Sequence, residues 1–345
     1  MHGPRHRGDR TLVDDALWEL VEGVLAFCET ATVLRDGTRH LTPSYSPENT
    51  PLGCTSSIAS DATIDVAILR DAARCALVLA EARADHSFDE RWQRLAAELP
   101  GYHQAADGTL AEWIGEGWSE QHAHRHASQL YPLWYEVDPA FAGSTDEARR
   151  LREAARRTIH AKLDWRSEAP TSPGHMEMAF GLVQVGLAAA ALGDAHSALT
   201  CAHWLAIDHW RPALTTTHDA GQIFNLDASG GLSALVAAML IGSTLDTLTV
   251  LPALPAEWER GAVTGLRARG GLVVDRLEWD PSGCTLNLRR LPEASWLAPA
   301  DGTLLAAGRT FTASVGPGAT LDGRRLRVGE QAVALRLDWT ADVAT

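Results

Sequence analysis

Near residue 250 the hydrophobic pattern of this chain changes period, and no other feature limits its fold as strongly. Before that point, apolar residues recur at the three- and four-residue spacing of helices that bury one face. Asp14 to Phe27 carries Leu17, Leu20, Val21, Val24 and Leu25 in this way. Asp61 to Ala84 continues it with Ile64, Ala67, Ile68, Ala72, Leu77 and Leu79, and Asp89 to Leu99 is a shorter segment of the same kind. Ser144-Thr-Asp-Glu is a start of capping-box type, from which a helix is predicted to about Leu163. Gly174 to Leu192 and Ala195 to Asp208 are alanine-rich and separated by Gly193-Asp194. Gly231 to Ile241 is apolar on nearly every side, as a deeply buried helix requires.

Beyond Leu251 the texture becomes alternating. Gly271 to Trp279 and Cys284 to Arg289 alternate apolar and polar residues, with turn sequences such as Asp280-Pro-Ser-Gly283 and Asp301-Gly302 between the runs. Further runs follow near Leu304, Phe311, Leu326 and Ala332 to Trp339. Such spacing predicts an antiparallel β domain. The expectation is a mainly α chain. A helical array of about seven or eight helices would fill residues 1–250, and a small β-sandwich-like domain residues 251–345.

Composition excludes several classes of function. Apolar residues make up 46% and charged residues 21% of the 345, which argues against disorder. No apolar run approaches the roughly 20 residues of a membrane span. The 30 basic residues against 44 acidic ones give a net charge of −14, which disfavours nucleic acid and anionic membranes as partners. Met1 to Asp15 is polar, with no apolar stretch after its basic residues, so it does not read as a signal peptide. A cytoplasmic location is expected of the chain as written, and secretion stays open if the true N-terminus lies upstream. Five cysteines without a C-x-x-C read as buried free thiols in a reducing compartment. Lys162 is the one lysine among the 30 basic residues, which reads as the codon usage of a GC-rich genome rather than as function.

Three segments could carry chemistry. Thr42 to Pro51 holds three prolines and one carboxylate, Glu48. Prolines forbid a regular helix there, and a stiff loop can hold a general acid in place as readily as it can make a plain turn. Asp107-Gly-Thr-Leu-Ala-Glu-Trp113 precedes His122-Ala-His-Arg-His-Ala-Ser-Gln-Leu-Tyr131. In an extended backbone His122, His124 and His126 would share a face and could bind a metal. Arg125 among them equally suits hydrogen bonds to sugar hydroxyls, and an exposed polar loop is a third reading. In Gln222 to Gly231, Asp227 precedes a glycine pair and an apolar helix. It could cap that helix or act as a base at the mouth of the array.

The order of these motifs is more specific than any one of them. The chain runs Ser46-Pro-Glu-Asn49, Gly108-Thr-Leu-Ala-Glu-Trp113, His124-Arg-His-Ala-Ser-Gln-Leu-Tyr131 and Asn225-Leu-Asp-Ala-Ser-Gly-Gly231. It continues with Leu251-Pro-Ala-Leu-Pro255, Trp258 and Gly265-Leu-Arg-Ala-Arg-Gly-Gly271. Over roughly residues 15 to 290 this resembles the C-terminal half of glycoside hydrolase family 95, the α-L-fucosidase family. The resemblance implies part of an (α/α)6 barrel followed by a β domain. It also implies an inverting hydrolase acting on terminal α-L-fucosyl or α-L-galactosyl residues of an oligosaccharide or glycan.

In that reading Glu48 is the general acid, and Asp227 matches an aspartate that helps to activate water. Arg125 and His126 bind the sugar, with His124 and Trp113 of the same motifs beside them. No cofactor or metal is implied. The family's Asp-Gly-Asn stands here as Asp227-Ala228-Ser229, and Gln129 stands where the family has a histidine. Family members also carry a β domain and half a barrel before the S-P-E-N motif, including two asparagines that orient the water. Here 47 residues precede Glu48. Self-association, or a partner chain supplying the other half, is therefore expected. A remnant that binds carbohydrate or a partner chain, and a metal-dependent hydrolase using the histidines, are the alternative readings.

Overall fold

The computed structural model describes residues 11, 13–115, 117–168, 178–292, 301–306, 309–329 and 331–340. The sequence reading of residues 1–10, and the predicted helix start at residues 174–177, lie outside these. Among the described residues the chain forms seven α-helices: α1 (Asp15–Ala31), α2 (Thr63–Arg83), α3 (Asp89–Glu98), α4 (Asp146–Glu168), α5 (Ala179–Ala191), α6 (Ala195–Trp204) and α7 (Asp227–Leu240). Their starts follow local chemistry. Asp14 Oδ1 accepts from the Leu17 amide at 2.8 Å at the head of α1. Asp194, in the Gly193-Asp194 break, accepts from the Ser197 amide at 3.1 Å at the head of α6.

Three helices run further than periodicity predicts, and the first is α1, which passes Phe27 to end at Ala31. α4 continues to Glu168 because its buried stripe, Leu151, Ala155, Thr158, Ile159, Lys162 and Arg166, goes on past the last apolar residue with polar ones. α7 begins at Asp227 itself, so Asp227 lies in the first turn and is not the cap. Its amide donates to Asn225 Oδ1 at 2.6 Å. The glycines of that turn do not break the helix, since Gly231 lies where an added Cβ would meet Val183 of α5 at 2.1 Å.

The chain divides into two units, residues 19–77 with 86–236, and residues 1–18 with 78–85 and 237–345. The first unit holds most of the helices and three short hairpins, β1 (Thr32–Arg35) with β2 (Thr38–Leu41), β3 (Ser44–Tyr45) with β4 (Ile58–Ala59), and β5 (Thr217–Asp219) with β6 (Gln222–Phe224). The helix α5 forms its interior. Ten of its residues, from Ala179 to Ala190, are buried, consistent with a segment that has no polar face.

The second unit is two five-stranded sheets. One has the order β13 (Phe311–Val315), β16 (Val333–Trp339), β11 (Gly283–Arg290), β10 (Leu272–Asp280), β9 (Gly261–Ala268). Leu277, Leu286 and Leu335 form one buried row across its middle. The Asp280-Pro-Ser-Gly turn forms as predicted, with Asp280 Oδ1 accepting from the amides of Ser282 at 2.7 Å and Gly283 at 3.2 Å. The second sheet has the order β14 (Ala319–Asp322), β15 (Arg325–Val328), β12 (Asp301–Ala306), β8 (Thr247–Val250), β7 (Ile241–Ser243). The pair β8–β12 is parallel, which departs from the purely antiparallel expectation. No helix of the described residues is long and apolar enough to cross a membrane.

Candidate active site

The motifs converge in the helical unit, and named bonds hold them there. The loop after β3 carries Ser46 to Asn49. The Ser46 hydroxyl donates to Glu112 Oε1 at 2.7 Å, and Asn49 Nδ2 donates to Glu112 Oε2 at 3.0 Å. Asn49 Nδ2 also reaches the Gln121 carbonyl at 2.9 Å. From the histidine-rich segment, Ser128 Oγ donates to the Pro47 carbonyl at 2.9 Å. The segments at 46–49, 108–113 and 124–128 thus form one assembly.

On its surface Glu48 and Arg125 make an ion pair across 77 residues of sequence. The Glu48 carboxylate is 55% exposed and the Arg125 side chain 27%, so both can meet a ligand. The Glu48 amide donates to His124 Nε2 at 3.3 Å. An imidazole nitrogen that accepts carries no proton, which makes His124 neutral with its proton on Nδ1. Burial, reinforced by the Lys162 charge, pushes the His124 pKa down to about 3. Burial and the neighbouring Arg125 push that of His126 down to about 4. Both rings are therefore uncharged at neutral pH, and a sugar would meet Arg125 as the cation of this group.

His126 stands edge-on to Phe180 of α5, with centroids 6.1 Å apart, and the two histidine rings lie 5.4 Å from each other. The β5–β6 hairpin packs against α5, the helix that carries Phe180. That hairpin leads into Asp227. The Asp227 carboxylate accepts from Asn225 Nδ2 at 2.9 Å, a bond within its own loop. The structure thus brings Glu48, Arg125, His124 and His126 together, and gives Asp227 a partner within its own loop.

Two other residues of the sequence reading lie apart. Trp113 is 1% exposed and packs with Ala59, Ala62, Ile64 and Trp118, so its ring is part of an apolar cluster rather than a surface for a sugar. His122 turns away from the other histidines to Asp107 at 2.8 Å. Among the described residues, no three histidine, cysteine, aspartate or glutamate side chains are grouped to hold a metal ion. The cysteines form no disulfide; Cys28, Cys75, Cys201 and Cys284 are buried, whereas Cys54 is exposed, contrary to expectation.

Beneath the assembly lies a set of buried charges that motif reading did not single out. Glu112 is fully buried, and its amide donates to both oxygens of Glu120 at 3.1 and 3.0 Å. Burial and the Glu112 charge push the Glu120 pKa up to about 8. From α4, Lys162 Nζ reaches the His124 carbonyl at 3.4 Å, and Arg166 Nη2 donates to the Arg125 carbonyl at 2.7 Å. The signal was in the sequence: Lys162 and Arg166 extend the buried stripe of α4 at four-residue spacing.

Comparison with known proteins bears on this geometry. The family model of the glycosyl hydrolase family 95 catalytic domain matches residues 5–240, and that of the family's C-terminal domain matches residues 242–287. An alpha-L-fucosidase 2 from Arabidopsis thaliana is 28% identical over 287 residues, covering 79% of this chain and 32% of that protein. A probable alpha-fucosidase A from Aspergillus niger is 29% identical over 201 residues, covering 53% of this chain and 23% of that protein. The chain thus spans a third or less of the length of these curated relatives.

Proposed function

The chain belongs to glycoside hydrolase family 95, and from that premise we propose that it carries the acid side of an α-L-fucosidase-like inverting hydrolase for terminal α-L-fucosyl or α-L-galactosyl groups. In this reading the seven helices are part of an (α/α)6 barrel whose inner loops present the site. The observation that carries the reading is the meeting of Glu48, Arg125 and His124 on a loop pinned by buried bonds. A carboxyl group so fixed, beside a cation and neutral rings able to bond hydroxyls, fits a sugar whose leaving oxygen must be protonated.

The chemistry follows from the pair. In the free site Glu48 pairs with Arg125. To act as an acid Glu48 must take up a proton from solvent and exchange Arg125 for the glycosidic oxygen, while Arg125 turns to a sugar hydroxyl. The glycosidic C–O bond then breaks as the Glu48 proton passes to the departing oxygen. A water attacks the anomeric carbon from the opposite face and gives its proton to Asp227, which Asn225 orients. Inversion requires the two carboxyl groups to stand roughly 6.5–9.5 Å apart around that water. The test is proton NMR of an α-L-fucoside during turnover. A β-anomer as first product supports the reading, and an α-anomer as first product excludes it.

We also propose that the helical unit associates with another chain or with a second copy. Ile207, Leu214, Ile223, Phe224 and Leu226 expose from 65% to 78% of their surface within twenty residues of sequence. Apolar side chains gathered in this way mark an interaction surface.

A further inference from the structure

Codon usage accounts for a chain that writes its other 29 basic residues as arginine; it does not account for where the one lysine stands. Lys162 is fully buried, on the helix that faces the underside of the candidate site. Its ammonium bonds the His124 carbonyl at 3.4 Å and is attracted by Glu112. A guanidinium in that place would bring five donors in a rigid plane, whereas an ammonium is compact and needs fewer acceptors. Glu112, on the other side, commits one carboxylate oxygen to Ser46 and the other to Asn49, the residues that flank Pro47-Glu48.

We propose that Glu112 and Lys162 are a positioning pair for the reaction. Glu112 anchors the loop that carries Glu48, Lys162 anchors the backbone that carries Arg125, and the attraction between them holds acid and arginine in register. This rests on the reading of Glu48 as the acid. Charge is available for the role. Burial pushes the Lys162 pKa down to about 8, with Glu112 pulling the other way, so the ammonium stays mostly charged at neutral pH. Glu120, pushed up to about 8, is mostly neutral there. Arg166 adds a second cation, committed to the Arg125 and Lys162 carbonyls. The pair touches no substrate; it acts through Ser46, Asn49 and the His124 carbonyl.

The test is hydrogen–deuterium exchange by mass spectrometry on the full chain, with turnover of an aryl α-L-fucoside measured in parallel. Glu112→Gln leaves one oxygen to accept where two donors need acceptors. Lys162→Met removes the charge at similar volume, and Lys162→Arg keeps the charge and changes its shape. In all three, amides of residues 44–52 and 121–128 should exchange at least tenfold faster, while those of 183–202 stay as in the wild type. Turnover should lose kcat at least tenfold with KM changed less than threefold. Ser46→Ala removes one anchor without touching the buried charges, so it reads the same loop if the buried variants do not fold. Loop exchange within twofold of wild type in the folded variants overturns the proposal. So does acceleration spread evenly over the chain, the mark of a merely structural role. A silent Glu48→Gln, by contrast, sinks the acid assignment itself, whatever the exchange shows.

Discussion

Replacing Gly181 by alanine should unseat Arg125, and the structure sets the scale of the effect. Gly181 lies in the first turn of α5, where a Cβ would stand 2.0 Å from the Arg125 carbonyl oxygen and 2.6 Å from Arg166 Nη2. Ordinary contact begins near 3.4 Å, so the carbonyl must retreat by well over an ångström. That breaks its 2.7 Å bond from Arg166. Overpacking of this kind costs about 1–3 kcal/mol. A lost bond to a charged group costs about 1.5–3 kcal/mol more. The better helix propensity of alanine returns about 1 kcal/mol. The net is a loss of about 1.5–5 kcal/mol, which at roughly 2–4 °C per kcal/mol lowers Tm by about 3–20 °C. Gly230→Ala is the control: nothing lies within 4 Å of its Cβ, so the gain in propensity should leave Tm unchanged or raise it slightly. Thermal melts followed by circular dichroism decide the matter. A Gly181→Ala protein that melts within about 1 °C of wild type would refute the close approach of α5 to the Arg125 backbone.

Because the pKa values of His124 and His126 lie below their unfolded value of 6.5, these rings contribute stability that is intact above pH 6.5 and lost as pH falls toward 4. Glu120, raised, acts in the opposite sense between pH 8 and 4.5. Measured by urea unfolding, His126→Gln should therefore gain up to about 3 kcal/mol on the wild type between pH 6.5 and 4.5, and a pH-independent difference refutes the assignment. Gln129 is fully buried with neither amide atom bonded, so Gln129→Met should raise stability by about 1–2 kcal/mol in the same assay, and a loss would show that the amide has a partner. Light scattering of the isolated chain should show concentration-dependent association that Phe224→Ser together with Leu226→Ser weakens; a monomer at all concentrations contradicts it.

The change from a helical to an alternating pattern was legible because burial imposes it directly, although the strands begin at Ile241 rather than near residue 250. A helix such as α4 must place small and apolar residues on one stripe, and strands such as β11 must alternate. The extension of α4 to Glu168 was legible only as spacing, since Lys162 and Arg166 continue the stripe but look like solvent-facing residues until their acceptors, two carbonyls far along the sequence, are known. Glu48 and Arg125 could be read from motif order, but their contact depends on Ser46, Asn49 and Ser128 finding partners up to 81 residues away. Trp113 belongs to a motif read as lying beside the sugar, while its burial is decided by Ala59, Ala62 and Trp118 on other segments. Asp227 could be read as a cap because it precedes a glycine pair and an apolar helix; a helix that tolerates two glycines among its first five residues hides its own beginning.

Glu48 as a proton donor is the claim on which the proposed chemistry rests. The measurement is turnover of aryl α-L-fucosides of graded leaving-group pKa by the wild type and by Glu48→Gln, with the associating partner present if the isolated chain is inactive. The glutamine keeps the side-chain shape and removes the proton. The rate should fall by about 10²–10⁴ for the poorest leaving group and by far less for the most activated one. Equal rates for the two proteins on the poorest leaving group, or a loss that is the same across the series, would contradict it.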